Sequence, residues 1–305
     1  MTNAEGAQLL QSFSNAVSEL AGDVSPCVVN VNSGRRSGSG MVWSGDGLVV
    51  TASHVVGHST APVVTFGDGT HAVARVLGRD VYTDVALLKV EVDGLLAVSP
   101  GSAEGPKVGQ FVLALANARG KKASATSGIV TSYGRSMRGF WGVVIEDAVV
   151  SDAKLNPGYS GGPLVDARGR VLGMNVAYFG GRGVAVPVSS LKEIVTMVLK
   201  DGRMRTGFLG VVVEPIELPQ DLAMSPEVGQ DEGLMVRAVE AGSPAKAAGV
   251  SIGDVILKLG DARATDEYEL HRALSGEVVG RQVGLLILRS EKLTELKITP
   301  SEAEA

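Results

Sequence analysis

Between roughly Val28 and Val188 short runs of Val, Ile and Leu are separated by Gly, Asp and Ser at intervals of about ten residues, a spacing that predicts many short strands joined by tight turns. The predicted strands are Cys27–Val31, Gly40–Thr51, Val63–Phe66, Val73–Leu77, Ala86–Val92, Phe111–Ala116, Thr126–Tyr133, Val143–Val149, Gly162–Val165, Val171–Ala177 and Gly183–Val186. About a dozen strands in roughly 160 residues point to an antiparallel barrel or a pair of barrels. Two helical patterns bracket them. In Glu5–Leu20 the residues Leu9, Leu10, Phe13, Val17 and Leu20 recur at helical spacing as an apolar stripe. In Ser189–Lys200 the residues Leu191, Ile194, Val195 and Val198 share one face and Gly202 is a stop signal.

After Arg203-Met204-Arg205-Thr206, which has the look of a linker, the texture changes. Strands are predicted at Leu209–Val213, Gly233–Val239, Asp254–Leu259, Gln282–Leu288 and Thr294–Ile298, with helices at Pro244–Ala248 and Asp266–Leu274 and a long polar loop after the first strand. This is a second, α+β domain of about 100 residues, in keeping with 305 residues at about 150 per domain.

Composition narrows the function. Hydrophobic residues make up 45% and charged residues 20%, ordinary globular usage. Lys and Arg total 28 against 33 Asp and Glu, a net charge of −5, which gives no electrostatic footprint for a nucleic acid. The single cysteine, Cys27, has no partner thiol for a disulfide or a CxxC site. No run of about 18 apolar residues and no basic-then-apolar start is present, so the sequence as written predicts a cytoplasmic chain, or a periplasmic one if a segment upstream has been removed.

The segment Asn156-Pro157-Gly158-Tyr159-Ser160-Gly161-Gly162-Pro163-Leu164 sets a serine among glycines between two apolar strands. Glycine permits positive φ, so amides can converge on a developing oxyanion and a substrate chain can approach closely. The same letters fit the Gly-x-Ser-x-Gly elbow of α/β-hydrolases, but that elbow is followed by a helix and by acid then histidine. Here Pro163 to Gly173 reads as strand, turn and strand, and the one later histidine, His271, lies in the second domain. Upstream, His54 closes the run Gly47 to Ser53 and is the candidate general base. His58 lies in a Gly-Ser-Thr loop and His71 beyond an Asp-Gly turn, both weaker. Asp84 opens the apolar run Val85–Val90, where it can hold the tautomer of an imidazole; Asp80 and Asp93 are lesser candidates. A nucleophile at Ser160, a base at His54 and an orienting carboxylate at Asp84 follow.

Thr51-Ala52-Ser53-His54, Thr83-Asp84-Val85-Ala86 and Asn156 to Leu164, in that order, resemble the catalytic blocks of the HtrA (Deg) family of trypsin-like serine proteases. The resemblance extends to Val24–Val31, Ser127–Thr131 and Gly183–Pro187. It implies a chymotrypsin-like double β-barrel over 23–200 after a helical segment at 1–22, the triad His54, Asp84 and Ser160, and an oxyanion hole made by the amides of Gly158 and Ser160. It implies no metal and no other cofactor.

The chain departs from the family pattern at several positions. Tyr159 stands where members carry Asn, Ala153-Lys154-Leu155 replaces an Ala-Ala-Ile run, and Ala116-Asn117-Ala118-Arg119-Gly120 replaces Gly-Asn-Pro-Phe-Gly. With Tyr178 at a pocket position, Leu155 and Tyr178 are expected to line a shallow specificity pocket for small apolar side chains.

Residues 207–300 resemble a PDZ module. Gly207, Phe208, Leu209 and Gly210 are similar to its carboxylate-binding loop, and Tyr268, His271 and Leu274 are candidate groove contacts. The resemblance further implies unfolded-protein substrates, C-terminal peptides as PDZ ligands and a homo-oligomer, trimer or multiple, assembled through Glu5–Leu20. The Ser132–Val143 loop, with Phe140 and Trp141, is the candidate switch. The alternative is an inert chaperone or scaffold in which Tyr159 disables the serine site.

Overall fold

A computed structural model describes residues 3–102, 104–138, 144–179, 181–201, 207–274 and 278–303, and divides into two compact units, Met1–Arg203 and Met204–Ala305. The linker and the pair Phe140 and Trp141 fall outside the described residues.

The first unit opens with helix α1 (Asn3–Val24) and a 3₁₀ turn (Ser25–Cys27). Strands β1 (Val28–Asn32), β2 (Ser37–Ser44), β3 (Leu48–Ala52), β4 (Val63–Thr65), β5 (His71–Val73), β6 (Arg75–Asp80) and β7 (Val85–Lys89) form one sheet in the order β5-β4-β1-β2-β3-β7-β6, with helix α2 (Ser53–Val56) after β3. Among the described residues no ladder joins β5 to β6, so this barrel is open at that seam. β3 is buried at every position, as is β7 up to Lys89, which is why both read as unbroken apolar runs.

Gly40–Thr51, expected as one strand, is a hairpin of β2 and β3. The chain reverses at Asp46-Gly47, where Gly47 takes φ +95° and a Cβ would run into the Val90 carbonyl.

The second sheet comprises β8 (Ser99–Pro100), β9 (Phe111–Ala116), β10 (Ser124–Arg138), β11 (Val144–Ser151), β12 (Pro163–Asp166), β13 (Arg170–Phe179) and β14 (Arg182–Pro187), in the order β12-β9-β10-β11-β14-β13-β8. Pairing of β12 with β13 closes it into a barrel. Val112, Ala114, Val130, Val149, Leu155, Tyr159 and Leu164 fill its core. Ser132–Arg138, expected within a loop, continues β10 and pairs with β11 as far as Arg138–Val144. Helix α3 (Val188–Asp201) ends the unit, with Leu191, Val195 and Val198 buried. This is the chymotrypsin-like double barrel.

The stripe on α1 is only partly covered. Leu20 and Val24 lie over the Gly169 turn and Phe13 meets Phe111 edge-on at 5.7 Å, whereas Leu9, Leu10 and Phe13 stay 62%, 71% and 55% exposed.

The second unit holds β15 (Gly207–Phe208), β16 (Val211–Glu217), α4 (Gln220–Ala223), β17 (Glu232–Val239), α5 (Pro244–Ala247), β18 (Val255–Leu259), β19 (Ala262–Arg263), α6 (Glu267–Ala273), β20 (Val283–Arg289), β21 (Lys292–Ile298) and β22 (Ser301–Glu302). Its sheet runs β16-β17-β18-β20-β21, with β19 on β18, and β15 pairs with β22. The polar loop after β16 contains the short helix α4, which its sequence does not announce. Ser243 and Asp266 cap α5 and α6 by accepting the amides of Lys246 and Glu269. The arrangement is that of a PDZ domain.

Candidate active site

The segment after β3 turns into α2 and presents His54, whose side chain is 47% exposed. Asp84 stands immediately before β7, which pairs with β3 up to Ala52–Val85, so the two residues are neighbours through the ladder. Asp84 holds the loop at three points. Its carbonyl accepts the Ser53 amide at 2.9 Å, Oδ1 accepts the His54 amide at 2.8 Å, and Oδ2 lies 2.5 Å from His54 Nδ1. Asp84 adopts φ +58°, a left-handed conformation that Asp tolerates better than most residues, with its side chain 8% exposed. From the other side Arg36 Nη1 donates to the His54 carbonyl at 2.7 Å.

Ser160 comes from the second barrel. The turn Asn156-Pro157-Gly158-Tyr159 closes by Tyr159 N–H to Asn156 O at 3.1 Å, with Gly158 at φ +94° as a type II turn requires. Gly161 follows at φ +88° and donates its amide to Asn175 O at 2.7 Å. A Cβ on Gly161 would collide with Ser39 O and Thr51 Oγ1 and stand 3.0 Å from the Ala52 amide. The serine turn is thus seated against the strand end that leads into His54. Strand β12, not a helix, follows the turn, which removes the α/β-hydrolase alternative.

Among the described residues the amides of Gly158 and Ser160 have no protein acceptor, so two donors stand free beside the Ser160 side chain. Ser160 Oγ donates to the Val176 carbonyl at 3.1 Å in this state. Tyr159 points away from the turn's open side. It is 4% exposed in the second barrel's core, and that burial pushes its phenol pKa up against hydrogen bonds from Thr126 and Asn156.

The expected pocket residues divide. Leu155 is buried beside Tyr159 and 3.2 Å from where a Gly183 Cβ would stand. Tyr178 pairs with Gly183 through the backbone, and its side chain lies outside the described residues. Lys154 is exposed. His58, His71 and Asp93 are exposed and are not brought to Ser160, while Asp80 caps the turn ahead of Asp84 by accepting the Tyr82 and Thr83 amides.

In the second unit, β16 is an edge strand. The loop leading into it is held by its carbonyls: Leu209 O accepts the Ala245 amide at 2.9 Å and Gly210 O the Glu240 amide at 2.8 Å. The amides of Leu209 and Gly210 have no protein acceptor among the described residues. Gly210 has φ +75°, and a Cβ there would strike Ser243. Gly207 starts the loop against Leu274 O at 2.7 Å and Phe208 is half-buried. Leu274, like Leu209, belongs to the core, and Tyr268 is also buried; His271 is half-buried.

Sequence reasoning missed Ser39 and Asn117. Both are fully buried, and both bond to the serine turn or to each other.

Comparison with known proteins adds three findings. A trypsin-like peptidase domain model matches residues 38–174 and a PDZ domain model matches 207–299. The chain is 33% identical over 271 residues to a probable periplasmic serine endoprotease DegP-like of Chlamydia trachomatis, covering 87% of this chain and 54% of that protein. It is 34% identical over 270 residues to the Brucella suis protein of the same name, with coverage of 86% and 52%. The chain therefore spans about half the length of the curated relatives it matches. Among solved structures it is similar to the HtrA-type protease AlgW with tripeptide, at 30% identity and TM-score 0.72, covering 96% of this chain and 98% of that one. The serine endoprotease from Yersinia pestis matches at 27% identity and TM-score 0.72, over 94% and 98%.

Proposed function

The chain belongs to the HtrA-type family of serine proteases, and from that premise we propose that it is a serine endopeptidase acting on unfolded or misfolded proteins, with Ser160 as nucleophile. The observation that carries this is the His54–Asp84 pair at 2.5 Å, seated beside a serine turn with two free amides. The proposal requires Ser160 Oγ to leave the Val176 carbonyl and engage the His54 imidazole, a contact that often tightens only with substrate bound. His54 removes the hydroxyl proton as Oγ attacks the scissile carbonyl and returns it to the leaving amine. Asp84 keeps Nδ1 protonated and stabilises the imidazolium. The amides of Gly158 and Ser160 receive the oxyanion, and one such donor is typically worth about a hundredfold to a thousandfold in rate. Water then resolves the acyl-enzyme by the same route.

The pocket beside Ser160 is assigned to Leu155 and Tyr178 and to small apolar side chains; efficient cleavage after Arg or Lys would count against it. The free amides of Leu209 and Gly210, next to an edge strand, suit capture of a C-terminal carboxylate as its peptide adds to β16. Self-association is assigned to the exposed Leu9, Leu10 and Phe13 of α1. Among the described residues no helix is long and apolar enough to cross a membrane. The names of the relatives favour the periplasm over the cytoplasm as the place of action.

The test is degradation of unfolded casein by the wild type and by Ser160→Ala, with and without peptides ending in an apolar residue. Cleavage absent from the variant and raised by peptide is the expected result. A wild type that is folded yet neither cleaves nor reacts with a fluorophosphonate would overturn the proposal.

A further inference from the structure

Ser39 lies in β2 of the first barrel, fully buried, and belongs to neither the His54–Asp84 pair nor the serine turn. Its bonds nevertheless reach both. The Ser39 amide donates to the Ser160 carbonyl at 2.9 Å. Its hydroxyl donates to the Gly158 carbonyl at 2.6 Å and accepts the Asn117 amide at 2.8 Å. Its carbonyl accepts Thr51 Oγ1 at 2.6 Å, from the strand that runs into His54.

A serine hydroxyl has one proton to donate. With the Asn117 N–H directed at Oγ, that proton is left for the Gly158 carbonyl. Each peptide plane carries its C=O and the next N–H in opposite directions, so holding one end aims the other. The Gly158–Tyr159 plane is held by Ser39 Oγ at one end and Asn156 O at the other. The Ser160–Gly161 plane is held by the Ser39 amide and by Asn175 O. Between them, the Tyr159 carbonyl is tied to the Gly162 amide at 3.0 Å, which turns the Ser160 N–H the opposite way.

We propose that Ser39 is a positioning residue for the oxyanion hole: from the first barrel it holds the second barrel's serine turn in the shape that leaves the Gly158 and Ser160 amides free. The assignment rests on the protease reading above. A hydroxyl that served packing alone would affect stability and leave turnover by the folded fraction unchanged.

The experiment uses the full chain carrying Ser39→Ala or Ser39→Cys and a quenched peptide taken from a casein cleavage site. Active sites are counted by fluorophosphonate labelling of Ser160 carried to completion. In Ser39→Ala, kcat per labelled site is expected to fall about tenfold or more while KM stays within about twofold, the pattern of a contribution made in the transition state. Affinity for a peptide boronate, whose tetrahedral adduct sets an oxygen in the hole, falls in parallel. Ser39→Cys keeps the shape of the side chain, slightly enlarged, with a weak donor, and recovers part of kcat. Equal kcat per labelled site in Ser39→Ala and wild type overturns the proposal. Should Ser39→Ala fail to fold, Ser39→Cys against wild type carries the same comparison: reduced kcat per site supports the assignment and unchanged kcat removes it. A wild type that neither labels nor cleaves sinks the protease reading, and this assignment with it. A wild type that does both, beside unchanged variants, sinks the assignment alone.

Discussion

The serine turn and the PDZ loop both free backbone amides by tying up neighbouring carbonyls, but they draw their ties from very different lengths of chain. Gly158 O is held by Ser39 across 119 positions, and His54 and Asp84, the proposed base and orienting acid for Ser160, sit in the other barrel. The Leu209 and Gly210 carbonyls are held from Glu240 and Ala245, within one small sheet and its first helices. A lesion in the PDZ loop is therefore expected to remain local, whereas the serine site depends on the docking of two barrels.

Ser160→Ala gives the largest separation. Hydrolysis of a quenched peptide should fall by about 10⁵ to 10⁶, while fluorescence anisotropy reports unchanged binding of a C-terminal peptide; loss of both would break the comparison. Asp84→Asn keeps the size of the side chain but favours the wrong tautomer, and kcat should drop about 10⁴-fold with KM nearly constant. Gly158→Ala puts a Cβ at φ +94° and against Ala118, so a loss of about a hundredfold in kcat is expected from the displaced oxyanion donor. Gly210→Ala is its counterpart in the other unit: peptide affinity should weaken about tenfold or more through strain and the clash with Ser243, with hydrolysis of the short peptide unchanged.

The smallest effect is on stability. Burial alone would raise the Asp254 carboxyl, but hydrogen bonds from Arg289 and the Ser251 amide, with the charge of Arg289, hold it below the usual range. A depressed carboxylate contributes stability above its unfolded pKa, and that contribution disappears as pH falls through the folded value. Asp166, bonded to Arg170 and to the Arg168 amide, does the same in the second barrel. Asp254→Asn should cost the PDZ unit about 1–3 kcal/mol at neutral pH and flatten its acid transition. Compared with the wild type in thermal scans at each pH from 7 to 3, the Asp254→Asn variant should leave the transition of the first unit in place, including its own acid shift from Asp166; a joint shift caused by the substitution would show that the units unfold as one.

Much of this was legible in the sequence because the chemistry is concentrated in short strings. Ser160 among glycines, His54 at a strand end and Asp84 at a strand start declare themselves by residue type and order. Strand spacing reached as far as a barrel or a pair of barrels and the family resemblance supplied the double barrel, while Gly40–Thr51 hid a hairpin that turns at Asp46-Gly47. Ser39 was invisible for a physical reason: Ser37-Gly38-Ser39-Gly40 looks like any small-residue strand, and only the fold brings it to Gly158. The stripe on α1 predicts a helix correctly, but periodicity alone cannot say that Leu20 packs over the Gly169 turn while Leu10 faces water.

The distribution of the site over the two barrels also bears on how the chain is made. A nascent chain that has completed β7 already holds every residue of the first barrel, including His54 and Asp84, yet Ser160, the proposed nucleophile, has not been synthesised. Domains fold in order of emergence from the ribosome, so the hydrolytic apparatus stays unassembled until β13 has supplied the Asn175 carbonyl that anchors Gly161. On the proposed function, an emerging chain can until then hydrolyse neither itself nor the unfinished chains beside it.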